Sequence, residues 1–305
     1  MSKHLFKDVF ISYGRRESLG FVARMHQQLL LKGYTAWFDK VNIPDGDDYA
    51  LRINHGIESA DNFIFVMAPR SLCSPYCLIE LEYARVLGKR VIPINQAVIF
   101  ETTPKAISAG DQAVLNGFYA SQGIENPNLK TTQDVLNRSL AVIGRTDWLD
   151  AKEEMQDADC DALSSWAATY ENLWKNHEDS EKLQSIEIPV FGKQIDDFEA
   201  VLQSIYTVLE NQKKHIRQHT ELLDLAFQWQ RNQKQTKYLL VGKERKAAED
   251  WLTHTFSPGV LPPCEPSRLH CDFICEARKN AENLMTDCFI LVKRKTICVL
   301  SVMKK

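Results

Sequence analysis

The sequence predicts an α/β fold in which a parallel sheet is covered by helices on both faces. Three observations lead to this class. Strand and helix patterns alternate along the first hundred residues, the strand segments are apolar almost throughout, and 305 residues are enough for a large core. Strands that are apolar on both faces are typical of parallel sheets, because helices cover each face of such a sheet.

The strands and helices of this part follow from local patterns. Helical spacing of Phe21, Val22, Met25 and Leu29 predicts a first helix, which Gly33 ends. Shorter helical segments are predicted over about 49–60 and about 74–87. Between them, short runs of β-branched and aromatic residues predict strands at Asp8–Tyr13, Tyr34–Phe38, Asn62–Ala68 and Arg90–Ile94.

The pattern stops at residue 96 and returns near residue 186. Apolar positions recur every four residues from Ala162 to Trp174, which predicts at least one amphipathic helix in the intervening stretch. We therefore predict a mostly helical insertion over about 96–185, then a fifth parallel strand at Ile186–Gly192 and a last helix to Glu210. The sequence thus predicts an α/β domain over 1–212 and a helical C-terminal region over 213–305.

The composition excludes few classes. Apolar residues make up 44% and charged residues 25% of the chain, and the net charge is −3, so nothing directs it to nucleic acid or to an anionic membrane. No apolar run is long enough for a secretory signal or a membrane span. The eight cysteines show no regular framework. We expect reduced thiols and a cytoplasmic protein.

The stretch SLCSPYCLIELEYA carries the candidate chemistry. Ser74 is suited to cap a helix and Pro75 to begin it, so Tyr76 and Glu80 share one face near the helix start. That start follows a strand, at the edge where open α/β sheets bind ligands. Spacing alone favours a simpler interpretation, in which Glu80 and Glu82 belong to a solvated helix face.

The order of the motifs resembles the Toll/interleukin-1 receptor (TIR) domain family. The resemblance is carried by an F-I-S-Y first strand, a Pro-containing loop after the second strand, the segment ESADNFIFV, and S-P-Y-C-L-I-E. It covers the first strand through Ile94 and resumes at Ile186–Glu210. It implies a flavodoxin-like fold with a five-stranded parallel sheet.

The resemblance also implies a reaction. Many TIR domains outside animal receptors hydrolyse NAD+ and release nicotinamide, through a glutamate that follows an aromatic residue by four positions. Tyr76 and Glu80 match that motif, although the family more often has Trp at the aromatic position. Glu80 is thus the predicted catalytic residue, because a fixed carboxylate stabilises the sugar cation that forms as nicotinamide leaves.

Other residues are predicted to bind the substrate or a second subunit. Aromatic stacking is expected from Tyr13, Phe38 and Tyr76, while Phe10 is interpreted as core. Arg15 and Arg16 follow the first strand, where they meet the diphosphate or remain solvated loop charges. The loop over 39–48 matches the self-association loop of the family, through Asp39, Ile43, Pro44, Asp45 and Gly46.

No motif indicates a bound cofactor or metal. The chain lacks Gly-rich dinucleotide and phosphate loops, so NAD+ is expected as a substrate. Cys264, His270, Cys271 and Cys275 are irregularly spaced, and buried thiols explain them better than zinc. Basic residues between Lys213 and Lys237 are mixed with acids, which favours a solvated face over a nucleic-acid surface.

The C-terminal helices resemble the linker that follows TIR domains in bacterial, notably cyanobacterial, multidomain proteins. The sequence therefore predicts a bacterial TIR protein that cleaves NAD+ to nicotinamide and ADP-ribose, or a cyclic product, in antiviral defence or stress signalling. The alternative is a non-catalytic adaptor that only binds other TIR domains. A weaker third hypothesis is a regulator that binds a nucleotide signal through its helical region.

Overall fold

The computed structural model describes residues 6–38, 49–97, 103–144, 146–175 and 187–302. Two compact units are formed, one by Met1–Thr220 with Pro263–Glu265 and the other by Glu221–Pro262 with Pro266–Lys305. In the first unit the strands are β1 (Lys7–Ser12), β2 (Ala36–Phe38), β3 (Ala60–Met67), β4 (Arg90–Ala97), β5 (Leu149–Glu154) and β6 (Lys193–Gln194).

Helices connect these strands. The first part of the chain has α1 (Leu19–Leu31), α2 (Tyr49–Ser59), the single turn α3 (Pro69–Leu72) and α4 (Pro75–Val86). The middle part has α5 (Ala109–Gln122), α6 (Thr132–Ile143), α7 (Asp157–Lys175) and α8 (Phe198–Glu210). The C-terminal part has α9 (Lys213–Arg231), α10 (Gly242–Leu252) and α11 (Arg268–Val302).

The sheet is the predicted parallel one with a small antiparallel addition. Its strand order is β2-β1-β3-β4-β5-β6, and only the pairing of β5 with β6 is antiparallel. Successive side chains of a strand point to opposite faces. Val9 and Ile11 therefore pack with α1 and α8, whereas Phe10 stacks between Trp37 and Phe63 at centroid distances of 4.4 and 5.4 Å.

The predicted position of the fifth strand is wrong. The fifth parallel strand is β5, inside the predicted insertion, and the described residues 187–192 form no strand. Pro189 lacks an N–H group for a sheet ladder, and Ile188 packs in the core from an irregular segment. Glu153 holds β5 in place, since it pairs with Arg24 of α1 and accepts from the Gln96 amide at 3.2 Å.

Buried charges occupy the amino-terminal edge of the sheet. The Lys89 ammonium donates to the carbonyl oxygens of Ala60 and Glu58 at 2.7 and 2.9 Å. Arg217 of α9 bridges Asp8 at 3.2 Å and Asp61 at 2.8 Å. Burial lowers the pKa of Lys89 to about 7 and raises that of Asp61 to about 6. Protein groups therefore pair with Lys89, Asp8 and one carboxylate oxygen of Asp61 at this edge.

A short strap from the C-terminal part of the chain lies at the end of α4. The Glu265 N–H donates to Gly88 O at 2.9 Å, and His219 Nε2 lies 3.0 Å from Leu87 O and 3.1 Å from Glu265 O. Because both oxygens can only accept, Nε2 carries the imidazole hydrogen. Gly88 has φ +73°, and a Cβ there would lie 1.9 Å from Glu265 O, so the strap requires glycine.

The second unit is helical and has its own apolar core. Trp229 of α9, Trp251 of α10 and Phe273 of α11 lie at the centre of this core. His270 is fully buried beside the ring of Trp251, and its Nδ1 lies 2.8 Å from Ser267 Oγ. The Ser267 hydroxyl oxygen also accepts from the His270 N–H, so this pair caps the start of α11.

Candidate functional site

A cavity of about 850 Å³ opens at the carboxyl-terminal edge of the sheet. Its walls come from the end of β1 and the loop that follows, from the start of α4, and from Trp37 of β2. Residues of the predicted insertion, Thr103, Lys105 and Thr132, also line it. The cavity is therefore at the edge that the strand order predicts for a ligand.

Glu80 borders this cavity from the second turn of α4. The helix begins as predicted, because the Ser74 hydroxyl accepts from the Cys77 N–H at 3.3 Å and Pro75 occupies the first helical position. The Cys77 thiol lies 3.5 Å from Tyr13 O and so joins this first turn to the loop after β1. Glu80 is only 9% exposed.

The interpretation of Glu80 and Glu82 as a solvated face is wrong. Glu82 is 5% exposed. Its carboxylate accepts from Arg138 Nε of α6 at 2.6 Å and from the Tyr119 hydroxyl of α5 at 3.1 Å. The insertion helices cover this side of α4, which spacing alone does not reveal. Glu82 holds them in place, whereas Glu80 lies at the cavity.

Tyr76 lies on the rim of the cavity, one turn before Glu80. Its ring is 47% exposed. Partial burial raises the pKa of the Tyr76 hydroxyl, and the Asp111 carboxylate of α5, which accepts a hydrogen bond from it, raises the pKa further. The motif pair predicted from the sequence is thus brought together at one wall, with Tyr76 outside and Glu80 inside.

Two aromatic residues behind the rim line the cavity as well. Tyr13 was predicted and is 6% exposed, and Trp37 is 7% exposed and was not predicted. The sequence signal for Trp37 is its place near the carboxyl end of the predicted strand Tyr34–Phe38, and the structure pairs it in register with Phe10 of β1. Phe10 is both core and cavity floor. The side chain of Phe38 lies outside the described residues, as does the predicted self-association loop with Asp39, Ile43, Pro44, Asp45 and Gly46.

Only one of the two arginines predicted to bind the substrate lines the cavity. Arg15 lines the cavity, and Arg16 is not part of its lining. Two further cations were missed. Arg70 follows β3, and its position is fixed by Glu17, which accepts from the Arg70 N–H at 2.7 Å and lies 3.8 Å from its Nε. Lys105 comes from the insertion. The cavity therefore combines one carboxylate with three cations among its lining residues.

Cysteine and histidine contribute no metal centre in the described part of the chain. Cys73 and Cys77 line the cavity as thiols outside any disulfide, while Cys264 and Cys271 belong to different compact units. His270 pairs with Ser267 at the start of α11. A membrane-spanning helix is not found among the described residues.

Comparison with known proteins gives a family. Residues 9–117 match the family model described as "TIR domain", which spans β1 through most of α5. Two solved TIR structures also match. The domain of a Toll-related receptor, TRR-2, from Hydra magnipapillata is 16% identical, with a TM-score of 0.30 over 56% of this chain and 97% of that one.

The second structure is that of the TIR domains in the activated Roq1 resistosome, which recognises the pathogen effector XopQ. It is 15% identical, with a TM-score of 0.32 over 66% of this chain and 98% of that one. No curated protein matches the chain significantly. The motif residues Ile11, Ser12, Tyr13 and Glu80 lie within the matched segment, and residues 9–117 of this chain belong to a TIR domain.

Proposed function

We propose that this TIR domain is an NAD+ glycohydrolase, with Glu80 as its catalytic residue. The observation that supports the proposal is the burial of Glu80 at the border of a cavity of about 850 Å³. Ligand cavities of roughly 300–1,000 Å³ bury most of the surface of a drug-sized molecule. A buried carboxylate that borders a cavity at the ligand edge of an α/β sheet is a candidate functional group.

The lining fits the charges of the substrate. NAD+ carries a cationic nicotinamide ring and an anionic diphosphate. Glu80 supplies the negative charge, and Arg15, Arg70 and Lys105 supply positive charge on other walls. Tyr13, Trp37 and Tyr76 present rings on which a planar base would stack.

The reaction needs few groups. The bond between the ribose C1′ and the nicotinamide nitrogen breaks, and its electron pair stays on the nitrogen, so nicotinamide leaves neutral without a general acid. Positive charge develops on the ribose, and the Glu80 carboxylate stabilises it. Water then attacks C1′ and releases a proton, which gives ADP-ribose. Attack by an adenine nitrogen of the same molecule would give a cyclic product instead.

Self-association and a role in defence belong to the same proposal. We propose that copies of the TIR domain assemble through the loop over 39–48 and that assembly completes the pocket. Depletion of NAD+, or the product itself, would then act as the signal. A domain that only assembles would be an adaptor, and the assay below separates the two.

The test is release of nicotinamide from NAD+ by the full chain, at high concentration and on beads that promote assembly. Glu80→Gln is expected to reduce release by at least about 100-fold, because it removes the charge that stabilises the transition state. Glu82→Gln is the matched control on the same helix. It weakens the contacts to Arg138 and Tyr119 and should lower stability by about 1–2 kcal/mol while keeping most of the release.

Two results contradict the proposal. Absence of release from assembled wild-type protein would favour an adaptor. Equal nicotinamide release by wild type and Glu80→Gln would show that Glu80 is not the catalytic residue. Urea unfolding of both variants shows whether a lost activity reflects a lost fold.

A further inference from the structure

Lys105 and Thr132 form a wall of the cavity that the strand pattern of the domain does not supply. They lie in two separate segments of the insertion, one before α5 and one at the first turn of α6. We infer that this wall is a binding site for the diphosphate of a dinucleotide, with Lys105 as the residue that selects phosphate-bearing substrates. The inference rests on the proposed function, because it names the part of the substrate that this wall binds.

The wall is held by backbone hydrogen bonds. The Lys105 N–H donates to Thr132 Oγ1 at 3.1 Å, and the Thr132 N–H donates to Lys105 O at 2.8 Å. Next to them, Ala106 and Thr131 form an antiparallel bridge, and the Ile107 N–H donates to Lys130 O at 2.9 Å. Two loop segments are thereby fixed to each other, and Lys105 and Thr132 remain adjacent.

The groups on this wall are donors. The ammonium of Lys105 has no hydrogen bond or ion pair with the residues that the structure describes, and Lys105 is an exposed residue of the cavity lining. Thr132 Oγ1 accepts from the Lys105 N–H, so its own hydrogen remains to be donated. Thr103 adds a hydroxyl to the same wall. Ammonium and hydroxyl groups together are the donors that phosphate oxygens accept from.

The nearby carboxylates are engaged elsewhere. Asp134 accepts from the Lys130 N–H, the Thr131 N–H and the Thr131 hydroxyl at 2.8–3.0 Å, which caps α6. Asp111 accepts from the Ser108 hydroxyl at 2.8 Å and from Tyr76. Neither lines the cavity. Among the described residues, neither of these two acids therefore neutralises Lys105.

The other cations of the cavity come from other segments of the chain. Arg70 lies beside Glu17, and Arg15 belongs to the loop after β1. Lys105 is the cation that the insertion adds. A substrate that carries nicotinamide and ribose but no diphosphate would gain little from this wall, so Lys105 favours dinucleotides over nucleosides.

The test is titration of ADP-ribose into the full chain that carries Glu80→Gln, which is not expected to turn over. Adding Lys105→Gln should weaken binding about fivefold, the scale of an exposed charge pair, and should reduce its dependence on salt between about 50 and 200 mM. Lys105→Arg should restore most of the affinity. Lys130→Gln is the matched control, because Lys130 lies beside the same bridge but does not line the cavity.

The ADP-ribose titration tests this inference independently of the nicotinamide-release assay. Equal ADP-ribose affinity with and without Lys105→Gln overturns this inference, even if the wild type releases nicotinamide. Absence of ADP-ribose binding by the Glu80→Gln chain also overturns it. Binding that depends on Lys105, in a protein that releases no nicotinamide, supports this inference and contradicts the proposed reaction.

Discussion

The two edges of the sheet both bury ionisable groups, and they do so in different ways. At the amino-terminal edge, Lys89 donates to two carbonyl oxygens and Arg217 bridges two aspartates. The space between Asp8, Asp61 and Ile216 admits no water-sized molecule. At the carboxyl-terminal edge, Glu80 borders a cavity of about 850 Å³.

The comparison shows that burial of a charge does not by itself identify a site. Charges at the amino-terminal edge are compensated by protein groups, so they contribute to the fold. Glu80 is also buried, at 9% exposed, but it lies beside space that a ligand can fill. A structural charge is distinguished from a site residue by the sheet edge at which it lies and by the volume beside it. The exposed fraction of the residue reports neither of these.

The largest expected effect is on stability at the amino-terminal edge. Lys89→Met should lower the free energy of unfolding by about 3 kcal/mol at pH 9, because the carbonyl oxygens of Ala60 and Glu58 lose their donor. Lys105→Met is the matched substitution at the other edge and should change it by less than about 0.5 kcal/mol. Urea unfolding at pH 9, where the folded Lys89 amine is neutral, measures both.

Similar losses for the two variants would contradict the comparison. They would mean that the cavity edge is as tightly compensated as the amino-terminal edge, and that Lys105 has a structural role.

A smaller effect is expected from pH. Burial lowers the pKa of Lys89 to about 7 in the folded protein, below its value of 10.5 when exposed. Between these values the unfolded chain holds a proton that the folded chain has released, so this group makes the free energy of unfolding rise with pH. The rise should be present in wild type between pH 7 and 9 and weaker in Lys89→Met. Parallel curves would show that Lys89 keeps its proton in this range.

Much of the fold was predictable because its signals are local. The strands β1, β3 and β4 are apolar runs, and the cap at Ser74 specifies the start of α4. The strand β5 was not predicted from its sequence LDAKEE. Its buried positions are Ala151 and Glu153, and because one of them is an acid, the sequence does not show the alternation of apolar and polar residues that is typical of a strand. The partner of Glu153, Arg24, is more than a hundred residues away, and no local pattern links them.

The candidate site was predictable in part. Helical spacing and the family motif place Tyr76 and Glu80 on one helix face, and both line the cavity. Their roles in binding and catalysis stay predictions. The wall at Lys105 and Thr132 could not be predicted, because it depends on a bridge between two segments of the insertion. The burial of Glu82 could not be predicted for the same reason. Its partners Tyr119 and Arg138 come from α5 and α6, and no local sequence pattern shows that these helices contact α4.

The most direct test is a crystal structure of the Glu80→Gln chain with intact NAD+. We expect the ribose bonded to nicotinamide to contact residue 80, with C1′ within about 4 Å of the side chain, and the diphosphate to lie beside Lys105. Binding of the nicotinamide ribose away from this cavity, with residue 80 turned from it, would contradict the central claim that a buried carboxylate at the open edge of the sheet is the reactive group.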